Sequence, residues 1–298
     1  LNKPDAILIA GPTASGKSNF ALELAETHDG EIINTDSMQI FPVLRVLTAR
    51  PNEADLARVP HHLYGTTPLE GPSSVAIWMA DAERVANEIW SRGKTAIFVG
   101  GTGLYFRGLE HGLAQVPDVP SDIRSDVRKR LLDRGSELLH AELASKDPEG
   151  AALLRPSDGQ RIARALEVFL TTGRSLKSFQ DQPDTKPLLD AKSVERYLVM
   201  PDRPVLHERI NARTVKMMEE GAVEEVRKLL TYELSSELSV MRAIGVKEIS
   251  QFLAGQLTYE GVIEKIRAAT RQYAKRQSTW FRGQLKTEWS SISKSDPS

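Results

Sequence analysis

The 298-residue chain has no cysteine. That excludes disulfides, thiolate metal sites and a cysteine nucleophile, and it fits a reducing cytosol, so a cytoplasmic location is expected. Long apolar runs are also missing. No stretch approaches the roughly 18 residues that span a bilayer, and no signal-peptide pattern is read, so no membrane partner is expected. Neither charge is in excess: 39 Lys and Arg against 40 Asp and Glu give a net −1, which by itself points to no nucleic-acid partner. Internal repeats and low-complexity tracts are absent. What remains, 40% hydrophobic and 27% charged residues, is ordinary for a soluble globular protein. The length allows one large domain with an insertion, or two domains.

The overall balance hides one local field. From Ile266 to Thr287 there is no acidic residue, while Arg267, Arg271, Lys275, Arg276, Arg282 and Lys286 fall within that stretch. Arg267, Arg271 and Lys275 recur every fourth residue, so a helix sets them along one face, with Tyr273, Trp280 and Phe281 interleaved. Two readings stand open: a phosphate-backbone footprint, or a solvated terminal helix whose aromatics pack on the core.

Near the start, the apolar run Ala6-Ile7-Leu8-Ile9-Ala10 leads into Gly11-Pro12-Thr13-Ala14-Ser15-Gly16-Lys17-Ser18. This is the phosphate-loop pattern G-x-x-x-x-G-K-[ST], and its context is right. Five consecutive apolar residues suit a central parallel strand. Phe20, Ala21, Leu22, Leu24 and Ala25 then form the apolar face of a helix, with Glu23 and Glu26 outside it. Gly11 and Gly16 let the backbone wrap an anion, Lys17 neutralises outer phosphates, and the Ser18 hydroxyl is the expected ligand of Mg²⁺.

A second strand is read at 31–34, ending in Asp36-Ser37-Met38-Gln39. A helix is expected over 75–90, stopped by Gly93, and a third buried strand over 95–99 that enters Gly100-Gly101-Thr102-Gly103. Alternating strands and helices predict an α/β fold, a P-loop NTPase-like parallel sheet flanked by helices, with ligands at the carboxyl ends of its strands. After Gly112 the pattern becomes helical: 123–132 is amphipathic and arginine-rich, and 161–170 is a helix ended by Gly173. Gln115–Pro120 and Gln180–Pro187 read as joints. A returning strand at 196–200 precedes helices from Pro204 to the end. The expected division is therefore a core of 1–114 and 195–298, with an inserted all-helical domain at 115–194.

The third strand has no carboxylate at its end, where NTP-hydrolysing phosphate-loop proteins usually place a magnesium-binding aspartate. That argues against ATP hydrolysis, and less strongly against a small-molecule kinase. The carboxylate near the loop is Asp36, whose bland role is to cap the following turn. His61-His62 lack a third ligand nearby, and adjacent histidines point apart, so no metal site is expected there; His207 reads as structural, at a helix start.

Taken together, Gly11–Ser18, Asp36–Gln39 and Gly100–Tyr105 resemble the tRNA dimethylallyltransferase (tRNA isopentenyltransferase) family. So do Gln160–Val168, Leu206–Arg213, Ala243–Glu248 and Arg271–Arg282, in the family's order over nearly the whole chain. The resemblance implies transfer of a dimethylallyl group from dimethylallyl diphosphate to N6 of the adenosine 3′ of the anticodon. Asp36 matches the general base, with Thr13 and Arg213 on either side of the diphosphate held by Gly11, Pro12, Thr13, Ala14, Ser15, Gly16, Lys17 and Ser18. It carries tRNA contact onto Asp36, Ser37, Met38, Gln39, Thr102, Arg124, Gln160, Arg161, Ile162, Ala163, Arg164, Arg242, Ala243, Ile244, Gly245, Val246 and Lys247. The implied partners are the tRNA anticodon stem-loop and the allylic donor, and a monomer is expected. For Arg161 and Arg164 the competing reading is surface ion pairs. Phe41 and Val246 stand where the family often has tyrosine, and Leu44–Pro51 departs from its usual loop, which bears on base stacking and loop geometry. The rival functions are a small-molecule kinase, a prenyltransferase of free adenine nucleotides, and a non-catalytic RNA-binding switch.

Overall fold

The computed structural model describes residues 4–71, 73–114, 116–181, 186–285 and 288–293. Strand β1 (Ala6–Ala10) turns through Gly11–Gly16 into α1 (Lys17–Thr27), which is followed by β2 (Gly30–Asn34). A short α2 (Glu53–Arg58) and the two-residue β3 (His61–His62) precede α3 (Val75–Ser91), β4 (Thr95–Gly100) and α4 (Gly103–His111). Then come α5 (Ser121–Lys146), α6 (Pro148–Ala152), α7 (Gly159–Thr172) and α8 (Leu176–Gln180). The chain returns as β5 (Val194–Val199), α9 (Arg203–Glu219), α10 (Ala222–Leu230), α11 (Val246–Leu253), α12 (Tyr259–Gln284) and β6 (Ser290–Ile292). By contact density it forms two compact units, Leu1–Glu110 with Leu188–Ser298, and His111–Pro187.

In the first unit six strands make one parallel sheet in the order β3-β2-β4-β1-β5-β6. Strand side chains alternate between its faces. Ala6, Leu8, Ala10, Ile33 and Phe98 join the core built by α3, α4 and α10–α12, while Ile7, Ile9, Ile32, Ile97 and Val99 pack on α1. Both faces are covered, which is why the central β1 and β4 are near-continuous apolar runs. Helix α3 shows how local signals agree with this packing. Ser74 caps it by accepting from Ile77 N at 3.2 Å, and its Trp78, Ala82, Val85, Ala86 and Ile89 recur at helical spacing against the sheet. No helix among the described residues is long and apolar enough to cross a membrane.

The second unit, His111–Pro187, contains α5–α8 and no strand among its described residues. Helix α5 is two limbs broken at Gly135, where φ is 81°, so the amphipathic run at 123–132 is its first limb. Val127, Leu139 and Leu143 close a small core with Ile162, Ala163, Ala165 and Leu166 of α7, which ends at Gly173. Of the joints read in the sequence, Gln115 and residues 182–185 lie outside the described residues.

Two strands escape the sequence pattern. Helices from Pro204 do not continue to the end: β6 adds to the edge of β5, pairing Tyr197 with Ser290 and Val199 with Ile292. Its Ser-Ser-Ile gives no apolar run to read. β3 is two histidines, and its pairing with Ile32 and Ile33 sends their side chains apart. His61 Nδ1 lies 2.9 Å from Val59 O and His62 Nε2 lies 2.7 Å from Glu31 Oε2. Among the described residues no three His, Cys, Asp or Glu side chains cluster as a metal site.

Glu31 is the charged residue this sheet buries most conspicuously. Its side chain is 4% exposed, with Arg92 Nη2 at 2.7 Å, His62 at 2.7 Å and Lys94 Nζ at 3.6 Å. Burial pushes its pKa up, but the hydrogen bonds from Arg92 and His62 outweigh that and hold the carboxyl below its ordinary value of 4.5. A depressed folded-state pKa gives stability that is complete above 4.5 and is lost as pH falls through the folded value. Glu31→Gln is expected to lower the melting temperature at pH 7 and to flatten its fall in acid. Parallel acid profiles for wild type and variant would remove Glu31 from that account.

Candidate active site

The site is built at the carboxyl end of β1, a central strand. The turn after Ala10 ends at Gly16, whose φ of 92° is reached by glycine without the side-chain clash other residues meet, and it starts α1 at Lys17. The helix N-terminus and the loop therefore front a cleft of about 330 Å³. Thr13–Ser18 line it with Asp36, Gln39, Thr48, Arg209 and Arg213. Such a terminus favours an anion, because its first N–H groups have no intrahelical partner.

Helix α9 supplies two arginines one turn apart. Arg213 Nη2 donates to Thr13 Oγ1 at 2.5 Å and Arg209 Nη1 donates to Ser15 O at 3.1 Å. Burial lowers the Arg213 pKa to about 10, with Asp36 acting against that shift, so the guanidinium stays charged at neutral pH. Lys17 is pushed down as well, to about 8: burial disfavours its ammonium, Asp36 supports it and Arg213 repels it. Lys17, Arg209 and Arg213 thus share the cleft with the carboxylates of Asp36 and Glu23.

Asp36 is held from below. Buried Asn34 accepts from Asp36 N at 2.9 Å through Oδ1 and donates to Asp36 O at 3.0 Å through Nδ2. Trp78 Nε1 donates to Asn34 O at 3.0 Å, and the Trp78 ring stacks on Tyr105 at 4.0 Å. Asp36 Oδ1 accepts from Met38 N at 2.9 Å, so the turn-capping role is real, and the residue also lines the cleft. Ser37 N donates to Thr102 Oγ1 at 3.0 Å, which ties this turn to the β4 loop. The Gln39 amide donates to Thr48 O and Ala49 O at 2.8 and 2.9 Å, so its donors brace the neighbouring loop.

Other residues singled out from sequence fall elsewhere. Arg242 and Lys247 are exposed, and Gly245 opens α11 with its N–H on Glu248 Oε2 at 3.0 Å; Ile244 is half-buried. Ala243 and Val246 are core side chains of the first unit. In the second unit Arg124, Gln160 and Arg161 are exposed, while Ile162 and Ala163 are core. Arg161 lies 3.4 Å from Asp158, and Arg164 lies 3.7 Å from Glu167, whose side chain is 4% exposed.

The basic face of α12 is largely a helix–helix contact. Arg267 Nε and Nη2 donate to Asn211 O on α9 at 3.4 and 3.3 Å, and Arg271 Nη1 donates to Asn211 Oδ1 at 2.9 Å. Phe281 is fully buried, and Lys275, Arg276 and Arg282 remain exposed; Lys286 and Thr287 lie outside the described residues. Spacing alone sets side chains on one face without saying what lies across from it. Asn34, Arg209 and Gln277, which bonds both the phosphate loop and the β4 loop, were not singled out in the sequence. Arg209 was findable, four residues before Arg213; the other two carry no local signal.

Fold and cleft together define a phosphate-loop protein with Asp36 in the cleft beside the loop and no carboxylate at the end of β4. The family described as IPP transferase matches residues 39–284, and that described as isopentenyl transferase matches residues 4–65. The tRNA dimethylallyltransferase of Rhizobium johnstonii is 50% identical over 289 residues, 97% of both chains. That of Agrobacterium fabrum is 49% identical over 288 residues, 97% of this chain and 96% of its own. The solved tRNA isopentenylpyrophosphate transferase of Bacillus halodurans is 32% identical with a TM-score of 0.68, covering 98% of this chain and 90% of its own. A eukaryotic dimethylallyltransferase solved acting on tRNA is 26% identical with a TM-score of 0.81, covering 97% of this chain and 73% of its own. The chain belongs to the IPP transferase family, together with the tRNA dimethylallyltransferases.

A recess that strips Lys17 of water costs stability while the ammonium is charged. Its folded pKa of about 8 lies below the ordinary 10.5, so the unfolded chain binds more protons between those values and stability rises with pH across that window. Lys17→Met is therefore expected to raise the melting temperature at pH 7 without ligand, with the gain shrinking to nothing above about pH 10.5. A variant less stable than wild type at every pH would mean that the lysine is already compensated in the empty cleft.

Proposed function

We propose that this transferase moves a dimethylallyl group from dimethylallyl diphosphate to N6 of the adenosine 3′ of the anticodon in tRNA. The observation that carries this reading is the cleft itself: Asp36 shares it with a phosphate loop, Lys17 and the Arg213–Thr13 pair. The adenine amine is a weak nucleophile. As its N6 lone pair bonds the allylic carbon, the C–O bond to the diphosphate breaks and its electrons leave with the diphosphate. The N6 proton passes to the Asp36 carboxylate. Thr13, Arg213, Lys17 and the loop N–H groups bind the leaving group and stabilise its charge as it departs. The target base has to leave its stack to reach them, and the closed site excludes water that would consume the allylic centre.

A divalent cation suits the donor set. The Ser18 hydroxyl lines the cleft beside the phosphate loop, and one protein oxygen with substrate phosphate and water is a set that Mg²⁺ commonly accepts. Ser18 is its expected protein ligand, and the ion would neutralise charge on the departing diphosphate. The relatives named tRNA dimethylallyltransferase support tRNA as acceptor. The inserted unit brings Arg124, Arg161 and Arg164 to the anticodon stem-loop, and the Asp36–Gln39 turn, Thr102 and the exposed Arg242 and Lys247 contact the loop nucleotides. The enzyme acts as a monomer in the cytoplasm. A small-molecule kinase is not favoured, because β4 ends in Gly100-Gly101 without the expected aspartate.

Asp36→Asn keeps the shape and the turn cap but cannot take the proton. Its single-turnover rate is expected to fall about 10²- to 10⁴-fold, with tRNA affinity changed far less. A near-normal rate would leave Asp36 a turn cap, and equal losses of rate and affinity would make it a recognition residue.

The double variant Arg161→Ala/Arg164→Ala is expected to weaken tRNA binding at low salt. It should also reduce the steepness of the salt dependence by about one unit of slope per lost phosphate contact. Unchanged binding at low salt would confine these arginines to their ion pairs with Asp158 and Glu167.

A further inference from the structure

Gln277 is a buried polar residue on α12, 6% exposed, that the reaction as described does not use. Its Oε1 accepts from Thr13 N at 2.9 Å and its Nε2 donates to Gly101 O at 2.9 Å. One side-chain amide therefore joins the phosphate loop to the β4 loop. The fit leaves no slack: a Cβ on Gly101 would lie 2.2 Å from Gln277 Nε2, and one on Gly103 would lie 2.2 Å from the ring of Trp280, three residues further along α12. The two glycines are thus space reserved for this helix.

The bond to Thr13 changes what the phosphate loop offers. Loop N–H groups are the usual donors to a bound anion, but the Thr13 N–H is already committed to Gln277. What Thr13 presents is its hydroxyl, and Arg213 Nη2 donates to that oxygen at 2.5 Å. The residue is fixed at two points, at its nitrogen by α12 and at its Oγ1 by α9.

We propose that Gln277 is a positioning residue: by holding the Thr13 N–H and the β4 loop, it aims the Thr13 hydroxyl at Arg213 and so sets the geometry of the diphosphate site. This rests on the reading that Thr13 and Arg213 bind diphosphate. The amide does so without touching substrate, and its effect passes through Thr13.

Binding of inorganic diphosphate, measured by calorimetry on wild type, Gln277→Leu, Thr13→Ala and the double variant, tests this without any turnover. Gln277→Leu is expected to lose about 10-fold in affinity, and the double variant to bind no more weakly than Thr13→Ala alone, because neighbours acting through one group are not additive. Multiplicative losses would overturn the proposal. Gln277→Glu supplies a second test should the leucine variant fail to fold. Protonated, the introduced carboxyl still accepts from Thr13 N and donates to Gly101 O; ionised, it repels that carbonyl. Its transfer rate divided by that of wild type is expected to climb about 10- to 100-fold as pH falls from about 8 to 5, at constant tRNA affinity. A flat ratio would contradict a positioning role. Wild-type protein that couples Thr13 to Gln277 in diphosphate binding yet transfers no prenyl group would sink the functional reading and leave this one standing.

Discussion

Lys17 and Arg213 are brought out of water at the head of β1, and Asp36 is the nearby carboxylate that acts on both. Burying cations without matching anions is unfavourable, and it is tolerated where a ligand supplies the missing charge. The cost is met by the surrounding fold. Six parallel strands, covered on both faces, place the loop after a strand that is itself entirely buried. A diphosphate entering this recess brings the negative charge that the lysine, the arginine and the helix N-terminus all lack. The strength of that attraction is greatest in a cleft of low dielectric, so in the proposed reaction donor binding and leaving-group stabilisation draw on one arrangement.

Asp36 belongs to the same design through its backbone. Asn34 grips it at both N–H and carbonyl, and Trp78 and Tyr105 stack beneath. The carboxylate uses Oδ1 on its own turn. Its position is thereby set by β2 and α3, while the phosphate grip is set by β1, α1 and α9. Gln277 of α12 links the loop to the end of β4, so the carboxyl ends of three central strands are tied to one another before any ligand arrives.

Much of this was legible in the sequence, for physical reasons particular to each part. Central strands are apolar on both faces, so β1 and β4 stand out as runs and β2 by its Ile32-Ile33 pair; Gly11, Gly16 and Lys17 announce a loop whose chemistry is local. The edges were not legible. β6 is three residues with two exposed serines, and β3 is a pair of histidines, so neither has a periodicity to detect. Asn34 and Gln277 were opaque for a different reason. Gln277 meets Thr13 across 264 residues of chain, and no local pattern records such a contact. The spacing of Arg267 and Arg271 was read correctly as one helix face, but α9 lies against it, and Asn211 takes donors that solvent or phosphate would otherwise receive.

The central claim is that a phosphate loop with a nearby carboxylate here serves prenyl transfer to an RNA base and not nucleotide hydrolysis. Incubating the protein with dimethylallyl diphosphate, Mg²⁺ and unmodified tRNA, then digesting the RNA and weighing its nucleosides, tests it directly, with ATP supplied in a parallel reaction. The expected result is adenosine heavier by one dimethylallyl group, with diphosphate released and ATP intact. Unaltered nucleosides, with ATP turned over at an ordinary enzymatic rate of about 1 s⁻¹ or more, would contradict it.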